Sequence, residues 1–162
     1  MPFADALRVL NSMKQEGVIE DYAVAGAMAL VFWTEPVPTY DLDVLVVLPS
    51  SAGPLVSLQG IYRWTSDRGY LAKDEHILIE GLPTQFLPSP DDLADDAIAT
   101  AEQLDYAGVP VRVVIPEYLI ALYLVPEART AKRRERAAML LEGPGLNRER
   151  LDAILKRHGL SL

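Results

Sequence analysis

The chain has 162 residues, 50% of them hydrophobic, a net charge of −8 and no cysteine. That is enough apolar sequence for one compact domain, and it excludes a disulfide framework or a thiolate metal site. The acidic balance argues against broad binding to phosphate backbones, though not against a local basic patch. No run approaches the roughly 18 uncharged apolar residues that a bilayer-spanning helix needs. The Met1-Pro2-Phe3-Ala4-Asp5 start has no signal-peptide character, so a cytoplasmic location is expected.

Residues 3–16 carry Phe3, Ala6, Leu7, Leu10 and Met13 at helical spacing, with Gly17 as a stop. Tyr22-Ala23-Val24-Ala25-Gly26 reads as a short strand, and Gly26 opens a helix over 27–33 that Pro36 and Pro38 terminate. An apolar strand over 40–48 follows, then an amphipathic helix over 54–68 ending near Gly69. Residues 77–79 and 84–87 form two strands joined by a Gly81-Leu82-Pro83 turn. An acidic helix is expected over 91–103, its Asp91 and Asp92 favouring the positive end of the helix dipole. A strand over 109–114 leads to a helix that Pro116 starts. Two more helices, about 127–142 and 147–158, flank Gly143-Pro144-Gly145. This order predicts an α+β fold, a mixed sheet with helices packed on it. Residues 1–115 would form the α/β core and 116–162 a helical C-terminal part of the same unit.

The segment Thr39-Tyr40-Asp41-Leu42-Asp43-Val44-Leu45-Val46 sets two carboxylates two residues apart at the mouth of an apolar strand. Alternate side chains of a strand share a face, which puts Asp41 and Asp43 on one side with Cα atoms about 6–7 Å apart. Like charges at the end of a buried strand are costly unless something positive neutralises them, and hard oxygen ligands suit Mg²⁺ or Mn²⁺. The alternative is a solvated strand end whose aspartates merely terminate the sheet. Upstream, Gly26 at a strand–helix junction allows close backbone approach to a phosphate.

Together Ala25-Gly26-Ala27-Met28-Ala29-Leu30 and Thr39-Tyr40-Asp41-Leu42-Asp43 resemble the nucleotidyltransferase superfamily that includes DNA polymerase β, kanamycin nucleotidyltransferase and the minimal nucleotidyltransferases. The Thr-x-Asp-Leu-Asp form is most similar to the AbiEii-type toxins and related bacterial proteins. Ile115-Pro116-Glu117-Tyr118-Leu119-Ile120-Ala121-Leu122, followed by Lys132-Arg133-Arg134, extends the likeness over roughly 20–140. The resemblance implies a nucleotidyltransferase-like fold and Mg²⁺-dependent nucleotidyl transfer from a nucleoside triphosphate to an RNA or protein hydroxyl. It further implies the toxin half of a toxin–antitoxin pair, with an antitoxin as partner. Asp41 and Asp43 would hold two divalent ions about 3.5–4 Å apart. Gly26, Ala27 and Met28 would cradle phosphates, with Thr39 and Lys132 as further nucleotide contacts.

Three positions depart from the family pattern. Where a third catalytic acid is expected, this chain reads Pro83-Thr84-Gln85-Phe86-Leu87. Gln85 can orient a water or a hydroxyl but cannot act as a base. Glu80 would replace it only if the hairpin register let it reach. Val37 stands where relatives often carry arginine, and Arg133 where an acid is expected. The Gln85 departure leaves a second reading, a catalytically impaired relative that binds a nucleotide or a partner without turnover.

Arg129, Lys132, Arg133 and Arg136 share a broad helical face at about 3.6 residues per turn. That face is either a lid over nucleotide or RNA phosphates or an ordinary solvated surface. Trp33 reads as core, Tyr40 is ambiguous, His158 suits a helix C-terminus, and His76 has no evident ligand set.

Overall fold

A computed structural model of the chain describes residues 2–50 and 57–162. Helix α1 (Pro2–Gln15) buries Phe3, Ala6, Leu7, Leu10 and Met13, the stripe its spacing predicts. Strand β1 (Asp21–Ala25) runs into α2 (Gly26–Ala29), a single turn that tightens into a 3₁₀ turn at Leu30–Phe32. The helix expected over 27–33 is therefore much shorter. Two prolines follow closely, at 36 and 38, and the last turn closes by shorter-range bonds, as helix ends commonly do.

Strand β2 (Leu42–Val47) buries Leu42, Val44, Leu45 and Val46, as a strand covered on both faces should. Helix α3 spans Gln59–Asp67; the part of its expected span at 54–56 lies outside the described residues. Strands β3 (Ala72–Lys73), β4 (His76–Ile79) and β5 (Leu82–Pro88) come next. The turn between β4 and β5 falls on Glu80-Gly81, both with positive φ (51° and 81°), as a two-residue type I′ hairpin requires. Leu82 and Pro83 are thus strand rather than turn.

Helix α4 (Asp92–Ala99) is capped by Asp91, whose side chain accepts from the Ala94 N–H at 2.9 Å. It stops at Thr100, and the residues expected to finish it instead begin β6 (Glu102–Tyr106). The missed signal is the Ala107-Gly108 pair, again with φ 50° and 83°, which closes a hairpin onto the alternating Val109, Val111 and Val113 of β7 (Val109–Val113). Helices α5 (Pro116–Leu124), α6 (Ala131–Leu141) and α7 (Arg148–His158) complete the chain.

The seven strands form one mixed sheet in the order β3-β4-β5-β2-β1-β7-β6. Strands β2 and β5 are parallel, as are β1 and β7, while β1 and β2 are antiparallel. This is the α+β architecture expected. Helix α1 packs on β1, β5 and β7, α2 and α4 on β1 and β2, and α5 holds α4, α6 and α7 together. Trp33 is half-buried and its indole N–H donates to the Val114 carbonyl at 2.9 Å, a core role. His158 faces Asp96 at 3.1 Å and ties α7 to α4. Among the described residues no helix is long and apolar enough to cross a membrane.

Candidate functional site

Strand register gathers the predicted residues at one end of β2. Asp43 lies opposite Ala25 of β1 on one side and opposite Gln85 of β5 on the other. Residues paired across adjacent strands point to the same face, so Gln85 occupies the position beside Asp43 where a third acid was sought. Asp41 immediately precedes the strand and its side chain is 56% exposed. The Asp41 N–H reaches the Thr39 hydroxyl oxygen at 3.4 Å, and that hydroxyl approaches the Asp41 carbonyl at 3.2 Å, so Thr39 shapes the loop that presents Asp41.

Gly26 has a structural reason to be glycine. Its φ is +61°, and a Cβ there would overlap the Asp43 carboxylate, lying 3.1 Å from both its Cβ and Cγ. The start of α2 and the acid of β2 therefore touch, with Ala27 and Met28 buried directly behind. The side chain of Asp43 is half-buried. Burial first, and the charge of Asp41 second, raise its pKa above the ordinary aspartate value. His76, Arg133 and Arg136 pull in the opposite direction without cancelling the rise.

Two neighbours of the acid pair, His76 and Glu75, escape a reading of the sequence. His76 Nε2 lies 3.9 Å from Asp41 Oδ2. The Glu80-Gly81 turn sets Ile77 opposite Thr84, and so carries His76 one step further, to Gln85. Glu75 accepts a hydrogen bond from the Gln85 amide at 3.2 Å. Counting residues back from that two-residue turn would have placed both. Glu80, in contrast, accepts from the Tyr70 hydroxyl at 2.6 Å and lines a cavity with Arg8 and Ser12 of α1, Trp64 of α3 and Arg68 just after it. It does not stand in for the missing acid.

The basic face of α6 divides. The charges of Arg133 and Arg136 act on Asp43, and the Arg133 guanidinium lies 5.9 Å from the Tyr123 ring. Arg129 turns away, its guanidinium donating to the carbonyls of Leu124 at 2.8 Å and Ser161 at 2.9 Å. Lys132 is exposed, and its charge is not among those acting on Asp43. The half-buried Val37 packs against the core.

Asp41 and Asp43 are the residues that could hold a divalent cation, and the repulsion Asp43 feels from Asp41 is the kind that a cation relieves. Among the described residues no three acids or histidines group as a complete ligand set, so the protein itself offers two carboxylates. A separate cavity lined by Val18, Leu48, Ile61 and Trp64 sits at the far end of β2 and shares no residue with this site.

No family model and no curated protein matches the sequence. Solved structures do. An antigenic nucleotidyltransferase-like protein from Paracoccidioides brasiliensis is similar over 97% of this chain and 87% of its own, with a TM-score of 0.62 and 13% identity. The antibiotic-resistance factor ANT(2″)-Ia in solution is similar over 98% of this chain and 93% of its own, with a TM-score of 0.55 and 16% identity. The crystal structure of ANT(2″)-Ia with adenylyl-2″-tobramycin gives a TM-score of 0.52 at 16% identity, over 93% of this chain and 95% of its own. At these identities the likeness concerns architecture, and the architecture is nucleotidyltransferase-like.

Proposed function

We propose that the chain binds a nucleoside triphosphate together with Mg²⁺ or Mn²⁺ at the mouth of β2 and transfers its nucleotidyl group to a hydroxyl. The observation that carries this reading is the half-buried Asp43, pressed against Gly26 and repelled by Asp41. The donor set fits the cation: Mg²⁺ is usually held by one or two carboxylates plus substrate phosphates and waters. When bound, the ion would neutralise the acid pair and polarise a phosphoryl oxygen.

The protein's own groups have separate tasks. Asp41 and Asp43 would hold the cation that meets the charged end of the substrate, with Thr39 fixing the loop that carries Asp41. Gly26, Ala27 and Met28 present backbone where a side chain would exclude the phosphates. In the reaction the acceptor hydroxyl gives its proton to solvent water as its oxygen bonds to the α-phosphorus, the bond to the pyrophosphate oxygen breaks, and pyrophosphate leaves in line. For the acceptor, the AbiEii likeness supports an RNA or protein hydroxyl and an antitoxin partner. The neighbour solved with adenylyl-2″-tobramycin adds a small-molecule hydroxyl.

A second reading is favoured by one observation. Gln85 faces Asp43 and is engaged by Glu75, so no carboxylate stands where the acceptor proton would be taken. In that case the site binds nucleotide without turnover. Incubation with labelled ATP or CTP, offering RNA, lysate protein and tobramycin as acceptors, separates the two. Label above that of an Asp41→Ala/Asp43→Ala variant supports transfer. Background label with intact Mg²⁺-dependent nucleotide binding supports the binding module.

A further inference from the structure

A cavity of about 760 Å³ lies between the segment that follows α2 and the C-terminal end of α6. Phe32, Trp33 and Met139 supply apolar wall, Glu35 and Glu142 supply charge, and among the described residues no basic side chain lines it. Neither carboxylate has a hydrogen bond or ion pair among the described residues. The acids of the cavity beside α1 and α3 differ. There Asp5 pairs with Arg8, Glu16 with Arg68, and Glu80 accepts from Tyr70.

The end of α6 deepens the negative field. The last carbonyls of a helix form its negative pole, and basic side chains in the last turn usually offset it. Helix α7 follows that pattern with Lys156, Arg157 and His158, whereas the last turn of α6 has no basic residue and its cap is Glu142. An acid at the negative pole is unfavourable unless something positive arrives from outside. The walls are set in advance. The Trp33 indole donates to the Val114 carbonyl at 2.9 Å, and the Thr34 N–H donates to the Leu30 carbonyl at 2.9 Å. A Cβ on Gly143 would lie 3.1 Å from the Leu140 carbonyl oxygen and 3.6 Å from that of Trp33, so the turn after α6 rests directly on the Trp33 backbone.

We infer that this cavity binds a small organic cation, a protonated amine on an apolar or aromatic body. The ammonium meets Glu35, Glu142 and the carbonyl end of α6. The body lies against Phe32, Trp33 and Met139, where aromatic faces and a thioether favour it. A few polar groups set in a preformed apolar hollow are the usual form of a small-molecule site. The cavity shares no residue with the acid pair, and the inference does not rest on the nucleotide reading.

The probe is phenethylamine, titrated into the full chain and followed by NMR, with phenethyl alcohol and phenylacetate as neutral and anionic counterparts of similar shape. The chain has two tryptophans, and the second, Trp64, lines other cavities and serves as an internal control. The Trp33 ring and Met139 methyl signals should shift on titration while those of Trp64 stay. The amine should bind about tenfold tighter than the alcohol, and phenylacetate not at all. Glu35→Gln and Glu142→Gln should each weaken amine binding about threefold, and the double variant should bind amine and alcohol alike. Glu20 is an exposed acid beside the far end of β2; Glu20→Gln removes the same net charge and should leave the affinity unchanged. Unmoved Trp33 and Met139 signals, or equal binding of amine and alcohol by the parent, overturn the site. So does a loss in Glu20→Gln that matches the loss in Glu142→Gln, since the attraction would then be diffuse.

Discussion

Glu117 and Asp43 are both drawn out of water in this molecule, and their surroundings are opposites. Glu117 on α5 is 1% exposed. One of its oxygens accepts from the Asn147 N–H at 3.2 Å and the other from Arg150 at 3.3 Å, which fastens the start of α7 to α5. Asp43 is less buried, yet the charge acting on it most strongly is that of another acid, and the arginines around it close no ion pair. A buried acid that is fully partnered belongs to the architecture. One held beside a like charge, against a glycine that admits no side chain, is arranged for something that arrives. On the proposed reading, the contrast separates acids that build the fold from acids that a cation would neutralise.

The largest expected effect breaks the contrast on the Asp43 side. Gly26→Ala forces a side chain into a left-handed backbone and into the Asp43 carboxylate. It should cost about 1–2 kcal/mol of stability from the backbone alone and abolish Mg²⁺-dependent nucleotide binding, read by denaturant melts and calorimetry. Next, Glu117→Ala should lower stability by about 1–3 kcal/mol by unpairing the Asn147 N–H and Arg150, while nucleotide affinity changes little. If Glu117→Ala removed binding while Gly26→Ala spared it, the division between the two acids would be reversed.

Much of this contrast is legible in the sequence. The D-x-D spacing and the apolar run of β2 pair Asp41 with Asp43, and the family resemblance adds Gly26 at the start of α2. Pro116 and Gly17 mark real boundaries, α5 starting at the one and α1 ending just before the other. What escapes is decided by tertiary register. Nothing local says that His76 and Glu75 come to Gln85, because that depends on which two residues make the β4–β5 turn. Nor does helical phase alone choose Arg133 and Arg136 over Lys132 and Arg129, since all four share a broad face. The polar Glu102–Tyr106 reads as the tail of an acidic helix until the Ala107-Gly108 turn is recognised as a hairpin.

A smaller effect sharpens the comparison through pH. The pKa of Asp43 is raised in the folded chain, so the native state binds more protons than the unfolded one as Asp43 titrates. Stability from this group then falls as pH rises from its ordinary value of 3.8 through the raised folded value. Asp43→Asn should remove that part of the slope and melt at a higher temperature near neutrality than the parent, while losing metal-dependent binding. A lower melting temperature would show that Asp43 is a structural acid after all. The smallest change is Gln85→Asp, which sets a third acid beside Asp43. It should slightly lower the stability of the metal-free chain and raise any nucleotidyl transfer above the parent's. No gain in transfer would mean that the missing acid is not the chain's only departure from an active site.

The most direct test is calorimetric titration of ATP into the full chain with and without Mg²⁺, repeated on the Asp41→Asn/Asp43→Asn variant. The account predicts binding that strengthens with Mg²⁺ in the parent and loses its metal dependence in the variant, which stays folded. Parent binding indifferent to Mg²⁺, or equal metal dependence in the variant, would contradict it.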